Sequence, residues 1–322
     1  MPGGPRAVEE EQVSISIFGR GGKRRLAGKH PGPHPGIPTR ARAPRAAGEA
    51  TLRLMSLNIA HARRKAQHQS LLKDSTIRRN LELIAGVLER EHPHIVALQE
   101  ADGPSFWSGG FDHVAALAGL AGFPHAFRGE HNREVLSRLD LSYGTALLSQ
   151  LPLEATHSQA FLQNWRDTKG FVAATVAPEA LAGEPVDVVS IHLDFLAERV
   201  RRRQVEQLIE RFRGHDGHLV VMGDFNCAWS ERRRSLDLLL HELQLRPCRE
   251  SAAATYPAWR PLVRLDWILV SEGLEFAAYQ TLDDRVSDHL GVLAEVRRRK
   301  ALLHPRERVA LQTKRLPSVS LA

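Results

Sequence analysis

Residues 219–222 read Leu-Val-Val-Met, a short apolar run closed on either side by Gly217 and Gly223. That pattern is how a fully buried strand looks, and burying it requires a sizeable core on both of its faces. A chain of 322 residues, 43% of them apolar, can supply that core as one large domain or two ordinary ones. The run ends in Gly223-Asp224-Phe225-Asn226. Side chains two apart on an extended segment point the same way, so a carboxylate and a carboxamide are expected to share one small space where the strand stops. Gly223 lets the backbone turn or be approached closely there. The plainer reading of Asp-x-Asn is a turn in which both side chains satisfy local backbone groups.

Other segments end in the same manner. Thr51 to Asn58 alternates as a strand closed by Asn58, and the run from His94 ends in Glu100. A helix is expected between them over 77–91, with Ile77, Leu81, Ile84 and Leu88 on one face, Asp74 as its cap and Pro93 as its stop. A short helix near 112–120 and a strand over 143–149 follow, with a polar segment over 128–133. Paired strands over 171–176 and 186–192 finish at His192. The next helix, about 195–213, turns Leu196, Val200, Leu208, Ile209 and Phe212 inward and Arg201–Arg203 outward, and Gly214 closes it. Beyond the Asp224 strand come a helix over 231–243, a strand opening at Asp266, another near 274–281, the Ser287-Asp288-His289 turn and a last strand over 290–296.

Taken singly, each polar strand end has a structural explanation: His192 as a satisfied core histidine, Asp266 as a partner of Arg264, Glu100 as a loop carboxylate. Six of them along one chain point instead to convergence at one sheet edge, where they satisfy each other, a cation and a ligand. Hard oxygen donors without thiolates suit Mg²⁺ or Mn²⁺. Histidine and asparagine supply donors for the charge on a phosphoryl group. Cys227 and Cys248 lack metal-ligand spacing and exclude a zinc or disulfide framework.

The net charge of +7 suggests a nucleic-acid binder until it is divided. Residues 1–50 carry +5 and residues 298–322 carry +6, which leaves the middle at −4. The basic character therefore belongs to a Pro/Gly-rich arm expected to be disordered and to a basic C-terminal tail, with the folded domain at 51–297. No stretch reaches the length a membrane span needs, and the first residues lack an apolar leader. A cytoplasmic protein without a transmembrane segment, acting as a monomer, is expected.

The ordered set Leu57-Asn58, Leu98-Gln99-Glu100, Gly144–Ser149, Ile191-His192, Gly223–Asn226, Leu265–Ile268 and Ser287-Asp288-His289 resembles the endonuclease/exonuclease/phosphatase superfamily. That group includes pancreatic deoxyribonuclease, abasic-site endonucleases, neutral sphingomyelinases and inositol-polyphosphate 5-phosphatases. The resemblance runs over roughly 51–297. It implies a four-layer α/β/β/α sandwich of two packed mixed sheets flanked by helices, and Mg²⁺-dependent hydrolysis of a phosphate ester by in-line attack of water. Glu100 would be the main metal ligand, with Asn58 and Asp288 close by. Asp224 would orient or deprotonate the water, and Asn226 would hold it or a phosphate oxygen. His289, oriented by Asp266, would act as base or charged clamp, and His192 would donate to the phosphoryl oxygens or the leaving group. Abasic-site endonucleases place an acidic residue two positions beyond the first-strand asparagine. Here that position is Ala60, so the resemblance does not imply DNA repair. The Asn58–Arg63 and His192–Phe195 stretches are more similar to the sphingomyelinase-like and bacterial branches. A lipid-derived or small phosphate ester is the expected substrate. A metal-dependent nuclease gripping DNA or RNA with its basic arms is the alternative, and a non-catalytic binding module is a third reading.

Overall fold

The computed structural model describes residues 51–136, 139–161, 169–228, 234–249 and 253–299. The arm over 1–50 and the tail from 300 lie outside the described residues. The elements in order are β1 Leu52–Asn58, α1 Asp74–Glu91, β2 Ile95–Asp102, α2 His113–Ala121, β3 His125–Arg128, β4 Asn132–Leu136 and β5 Leu139–Ser149. They continue with β6 Glu154–Ala160, β7 Gly170–Val176, β8 Val186–His192, α3 Glu198–Phe212, β9 His218–Asp224 and α4 Arg234–Glu242. The last are β10 Leu245–Pro247, β11 Asp266–Ser271, β12 Leu274–Thr281 and β13 Val292–Arg298.

Alternation within each strand builds the layers. On β1, Leu52 and Leu54 face one way into a core shared with Val220, Met222, Ile268 and Val270 of the second sheet. Met55 and Leu57 face the other way, onto Ile77, Leu81, Ile84 and Leu88 of α1. The second sheet does the same: Val189, Ile191 and Val221 point outward, onto Val205, Leu208 and Ile209 of α3 and Leu236 and Leu239 of α4. Three apolar layers therefore separate four structural ones, and the chain is an α/β/β/α sandwich. The first sheet runs β12-β13-β1-β2-β5-β3 with β4 added on β5, and the second runs β10-β11-β9-β8-β7-β6. Each is mixed: β1 with β2, and β8 with β9, are parallel, and the remaining pairs are antiparallel. The two parallel pairs end at the same edge of the molecule.

Several expectations need correction. Asp74 lies inside α1 as its first residue, and Lys73 is the cap, without a side-chain bond. Helix α3 starts at Glu198, so Leu196 precedes it and is exposed, while Val200 is half-buried. The reason is local: the Asp194 carboxylate accepts the Leu196 and Ala197 N–H groups and holds them outside the helix. Of the helix expected over 231–243, residues 231–233 lie outside the described residues. The last strand starts and ends two residues later than expected, so Arg298 belongs to it and pairs with Glu184 at 2.8 Å. Strands β3, β4, β6 and β10 carried no expectation.

Candidate active site

The core between the sheets runs out into polar side chains at one end, on the same alternation that builds it. Leu52 and Leu54 are followed in phase by Ser56 and Asn58. Val188 is followed by Ser190 and His192, and Val220 and Met222 by Asp224. On β11 the phase runs backward from Val270 and Ile268 to Asp266, which the register sets directly opposite Asp224. A polar layer marks the transition, where the Gln99 amide donates to Ser190 Oγ at 3.1 Å between the sheets. The strand ends thus converge because they share the inward face.

Asn58 joins the two sheets. Its Nδ2 donates to Glu100 Oε1 at 3.2 Å and to Asp224 Oδ2 at 3.1 Å, and its Oδ1 accepts the Ala60 N–H at 2.9 Å. Two imidazoles face Asp224 Oδ2, with His192 Nε2 at 3.5 Å and His289 Nε2 at 3.7 Å. The far nitrogen of His289, Nδ1, bonds Asp266 Oδ2 at 2.9 Å, which fixes the ring. His192 Nε2 also lies 4.0 Å from Glu100 Oε1. Access is graded: the Asp266 side chain is fully buried and Asp224 2% exposed, while Glu100 is 20% exposed and opens the centre to solvent.

Not every expected residue stands where the alternation rule puts it. Asn226 leaves the extended path in a left-handed conformation, φ 48°. Its N–H closes on Asp224 Oδ1 at 2.9 Å, and its amide donates to the Leu193 carbonyl at 3.0 Å. The turn reading holds here: Asn226 clamps Asp224 from behind instead of facing the centre with it. Asp288 is turned toward Arg63, with which it forms an ion pair, while the neighbouring His289 points inward. Asn58 presents N–H groups, not its oxygen, to the carboxylates. Asp266 bonds His289, and Arg264 stacks over the Trp267 ring at 3.8 Å.

Sequence reasoning missed a second imidazole–carboxylate pair on the other side of Glu100. His61 Nε2 lies 3.3 Å from Glu100 Oε2, and its Nδ1 bonds Asp102 Oδ1 at 2.6 Å. Asp102 in turn accepts the Trp107 indole N–H at 3.1 Å, and the Trp107 and Tyr143 rings pack edge-on against His61. Two irregularities aim these groups. A bulge in β2 between Leu98 and Ala101 turns Glu100 into the left-handed region, φ 51°. Ala60, His61 and Ala62 form a left-handed turn with φ of 48°, 53° and 55°. Residues other than glycine avoid that region at a cost of roughly 1–2 kcal/mol each, and such strain collects where geometry serves a site. The signal for His61 was its place three residues beyond Asn58, but no periodicity predicts a left-handed turn of alanines.

The model of the endonuclease/exonuclease/phosphatase family matches residues 55–289. The chain belongs to this family. Solved structures agree on the fold. An endonuclease/exonuclease/phosphatase of Beutenbergia cavernae is similar at 20% identity and a TM-score of 0.60, over 80% of this chain and 74% of that one. The human Nocturnin catalytic domain with bound sulfate is similar at 19% identity and TM-score 0.58, over 78% and 96%. A mannosyl-6-phosphatase of Bacteroides thetaiotaomicron reaches 15% identity and TM-score 0.58, over 76% and 99%. No curated protein matches the sequence.

Members of the endonuclease/exonuclease/phosphatase family are hydrolases of phosphate esters, and the charge states of this centre suit that chemistry. Burial pushes Asp224 up to about 7, helped by the Asp266 carboxylate and opposed by His289. Burial works against a charged His289, yet Asp266 and Asp224 lift it to about 10. For Glu100 burial is again unfavourable to charge, but His61, Lys169 and His192 hold its carboxyl well below the usual carboxylate range. His61 is raised, because Asp102 outweighs its burial. Asp224, Asp266 and His289 offer ligand atoms all within 4.8 Å of one another, and Asp266 Oδ1 is buried with no partner. Among the described residues this is the one group of three or more such side chains. An orphaned carboxylate oxygen, a second carboxylate holding its proton to neutrality and the open Glu100 carboxylate are a donor set that fits a hard divalent cation.

Proposed function

We propose that the chain is a divalent-metal-dependent hydrolase of phosphate esters, acting on a lipid-derived or small ester through water attack in line with the leaving group. The observation that carries this is the Asn58 amide held between Glu100 of one sheet and Asp224 of the other, with two imidazoles closing on the same Asp224 oxygen. Mg²⁺ or Mn²⁺, held by Glu100 with help from the Asp224 and Asp266 carboxylates, supplies charge neutralisation for the phosphoryl oxygens.

The protein's own groups divide the remaining work by proton affinity. Asp224, fixed by Asn58 and Asn226, orients the attacking water and takes its proton. His289, lifted to about 10, is a cation over the same range and acts as a phosphoryl clamp, with Asp266 fixing its ring. His192 donates from the opposite side of Asp224. Asn226 keeps the Asp224 carboxylate from rotating.

The test is hydrolysis of bis-p-nitrophenyl phosphate and of plasmid DNA by the purified chain with Mg²⁺, with Mn²⁺ and with chelator. Metal-dependent release of nitrophenol that falls at least ~10²-fold in Asp224→Asn and His289→Gln is expected. A folded protein inert toward every ester and metal would overturn the reading. Cleavage of DNA in preference to the small ester would move the substrate class to nucleic acid.

A further inference from the structure

Exposed apolar side chains are normal when scattered singly, and informative when they gather. Among the described residues seven large ones are exposed, and six stand on loops at the active edge. Leu71 is on the β1–α1 loop, Phe106 on the β2–α2 loop, Phe195 and Leu196 on the β8–α3 loop, and Leu262 and Val263 on the loop between β10 and β11. They are 36–73% exposed; the seventh, Leu120, lies at the end of α2 away from this edge.

Each of these four loops is rooted in the centre by a polar contact. The first carries His61 against Glu100, and the second carries Trp107 against Asp102. The third offers the Leu193 carbonyl to Asn226, two residues before Phe195. The fourth sets Tyr256 4.7 Å from the His289 ring and bonds the Asp288 carbonyl through the Ala258 N–H. Polar roots and apolar tips on the same loops make a crown whose opening is the centre. Cations stand between the tips: Arg64, Lys65, Arg199, Arg260 and Arg285 are exposed. Lys65 lies over the Trp259 ring at 4.9 Å, and Arg64 donates to the Arg285 carbonyl at 3.0 Å, which ties neighbouring loops together. Among the described residues of these loops, Asp112 accepts the Ala115 N–H and pairs with Arg128, and Asp194 accepts backbone N–H groups; on the β12–β13 loop that carries Arg285, Asp288 pairs with Arg63 and Asp283 is exposed.

We propose that this crown is a docking face for an anionic lipid–water interface, so that the ester reaching Glu100 is the headgroup of an amphiphile presented in that surface. Apolar tips interleaved with lysine and arginine are the chemistry that partitions into the headgroup boundary, the tips for the acyl edge and the cations for lipid phosphates. The substrate class rests on the hydrolase reading above. The docking face does not, since it needs no turnover.

The experiment separates the two. The full chain is sedimented in chelator with phosphatidylcholine vesicles, with and without phosphatidylserine, at low and high salt, and hydrolysis of soluble bis-p-nitrophenyl phosphate is measured alongside. Wild type and the outlying Leu120→Ser variant are expected to pellet with the anionic vesicles and to be released by salt. The pairs Phe195→Ser/Leu196→Ser and Leu262→Ser/Val263→Ser are expected to bind at least ~10-fold more weakly. All four proteins, with unchanged melting temperatures, are expected to hydrolyse the soluble ester within about twofold of one another. Wild type remaining in the supernatant, equal loss in Leu120→Ser, or a dimer in light scattering that the crown pairs dissociate would each overturn the docking face. Vesicle binding without any metal-dependent hydrolysis leaves the face standing and removes the hydrolase reading. Hydrolysis without binding does the reverse.

Discussion

Asp224 shows how one residue sets function against stability. Its folded pKa of about 7 lies above the ordinary value of 3.8. The stability it contributes is therefore present below about 4 and lost as pH rises toward 7, and the ionised carboxylate is a cost above that. Asp224→Asn is expected to abolish turnover by ~10²–10⁴-fold while raising the melting temperature in chelator at pH 8, by about 2–4 °C for each kcal/mol relieved. The gain should vanish at pH 4; a variant that melts lower than wild type at pH 8 contradicts the assignment. His289 runs over a later window: its folded pKa near 10 against an ordinary 6.5 makes its contribution full below 6.5 and lost through 10. In the proposed mechanism His61, 3.3 Å from Glu100, acts through that carboxylate as a positioning residue. His61→Ala is expected to lower kcat about tenfold and raise the metal concentration at half-maximal rate, with His61→Gln, which keeps a donor, recovering part of both. Asn58, Glu100, His192, Asp224, Asp266 and His289 were legible as strand ends because burial makes an unpartnered polar residue costly there. His61 and Asp102 were not, since a left-handed turn and a bulge aim them, and neither leaves a periodic trace.

At the scale of elements, most strands read from the sequence were those buried on both faces. β1, β2, β8, β9 and β11 are buried along nearly their whole length, because helices cover one side and the second sheet the other. The edge strands β3 and β6 escaped detection for the opposite reason, whereas β12, also an edge, was read from the sequence. β6, Glu154–Ala160, has no fully buried residue, and β3 is half-buried along its whole length. Their pairing partners β7 and β5 hold them extended, which is tertiary information. The sharpest constraint inside an element is Gly223, which the sequence marked only as a permissive hinge. Its φ is 152°, and a Cβ there would sit 1.9 Å from the Ile191 carbonyl oxygen, inside the parallel β8–β9 ladder. Because the obstacle is backbone, nothing flexible can give way. Gly223→Ala is expected to cost several kcal/mol, at the upper end of single substitutions, as measured by urea denaturation. The conservative control is Gly86→Ala in α1, where a Cβ meets nothing within 4 Å and helix propensity predicts a small gain of about 1 kcal/mol.

Across the whole molecule, the centre is also one of the places where the two sheets are joined by polar contacts. The apolar core between them is non-directional and fixes their distance better than their relative slide. Asn58 to Asp224 and Gln99 to Ser190 set that slide at the active edge. A cation shared between Glu100 of the first sheet and the Asp224–Asp266 pair of the second would add a third link, and one the unfolded chain cannot form. Binding to the folded state alone stabilises it by about 2.7 kcal/mol at a hundredfold excess over the dissociation constant, which for a domain of this size is about 5–10 °C in melting temperature. Protons compete for the same carboxylate, because Asp224 holds one up to about 7. The thermal shift produced by Mg²⁺ or Mn²⁺ is therefore expected to be larger at pH 8 than at pH 6, with proton release on binding measurable by calorimetry in buffers of different ionisation enthalpy. Glu100→Gln should lose most of the shift and keep the metal-free melting temperature. A shift that is equal at both pH values, or that survives in Glu100→Gln, would place the ion on surface carboxylates and separate the two sheets' alignment from the chemistry it is argued to serve.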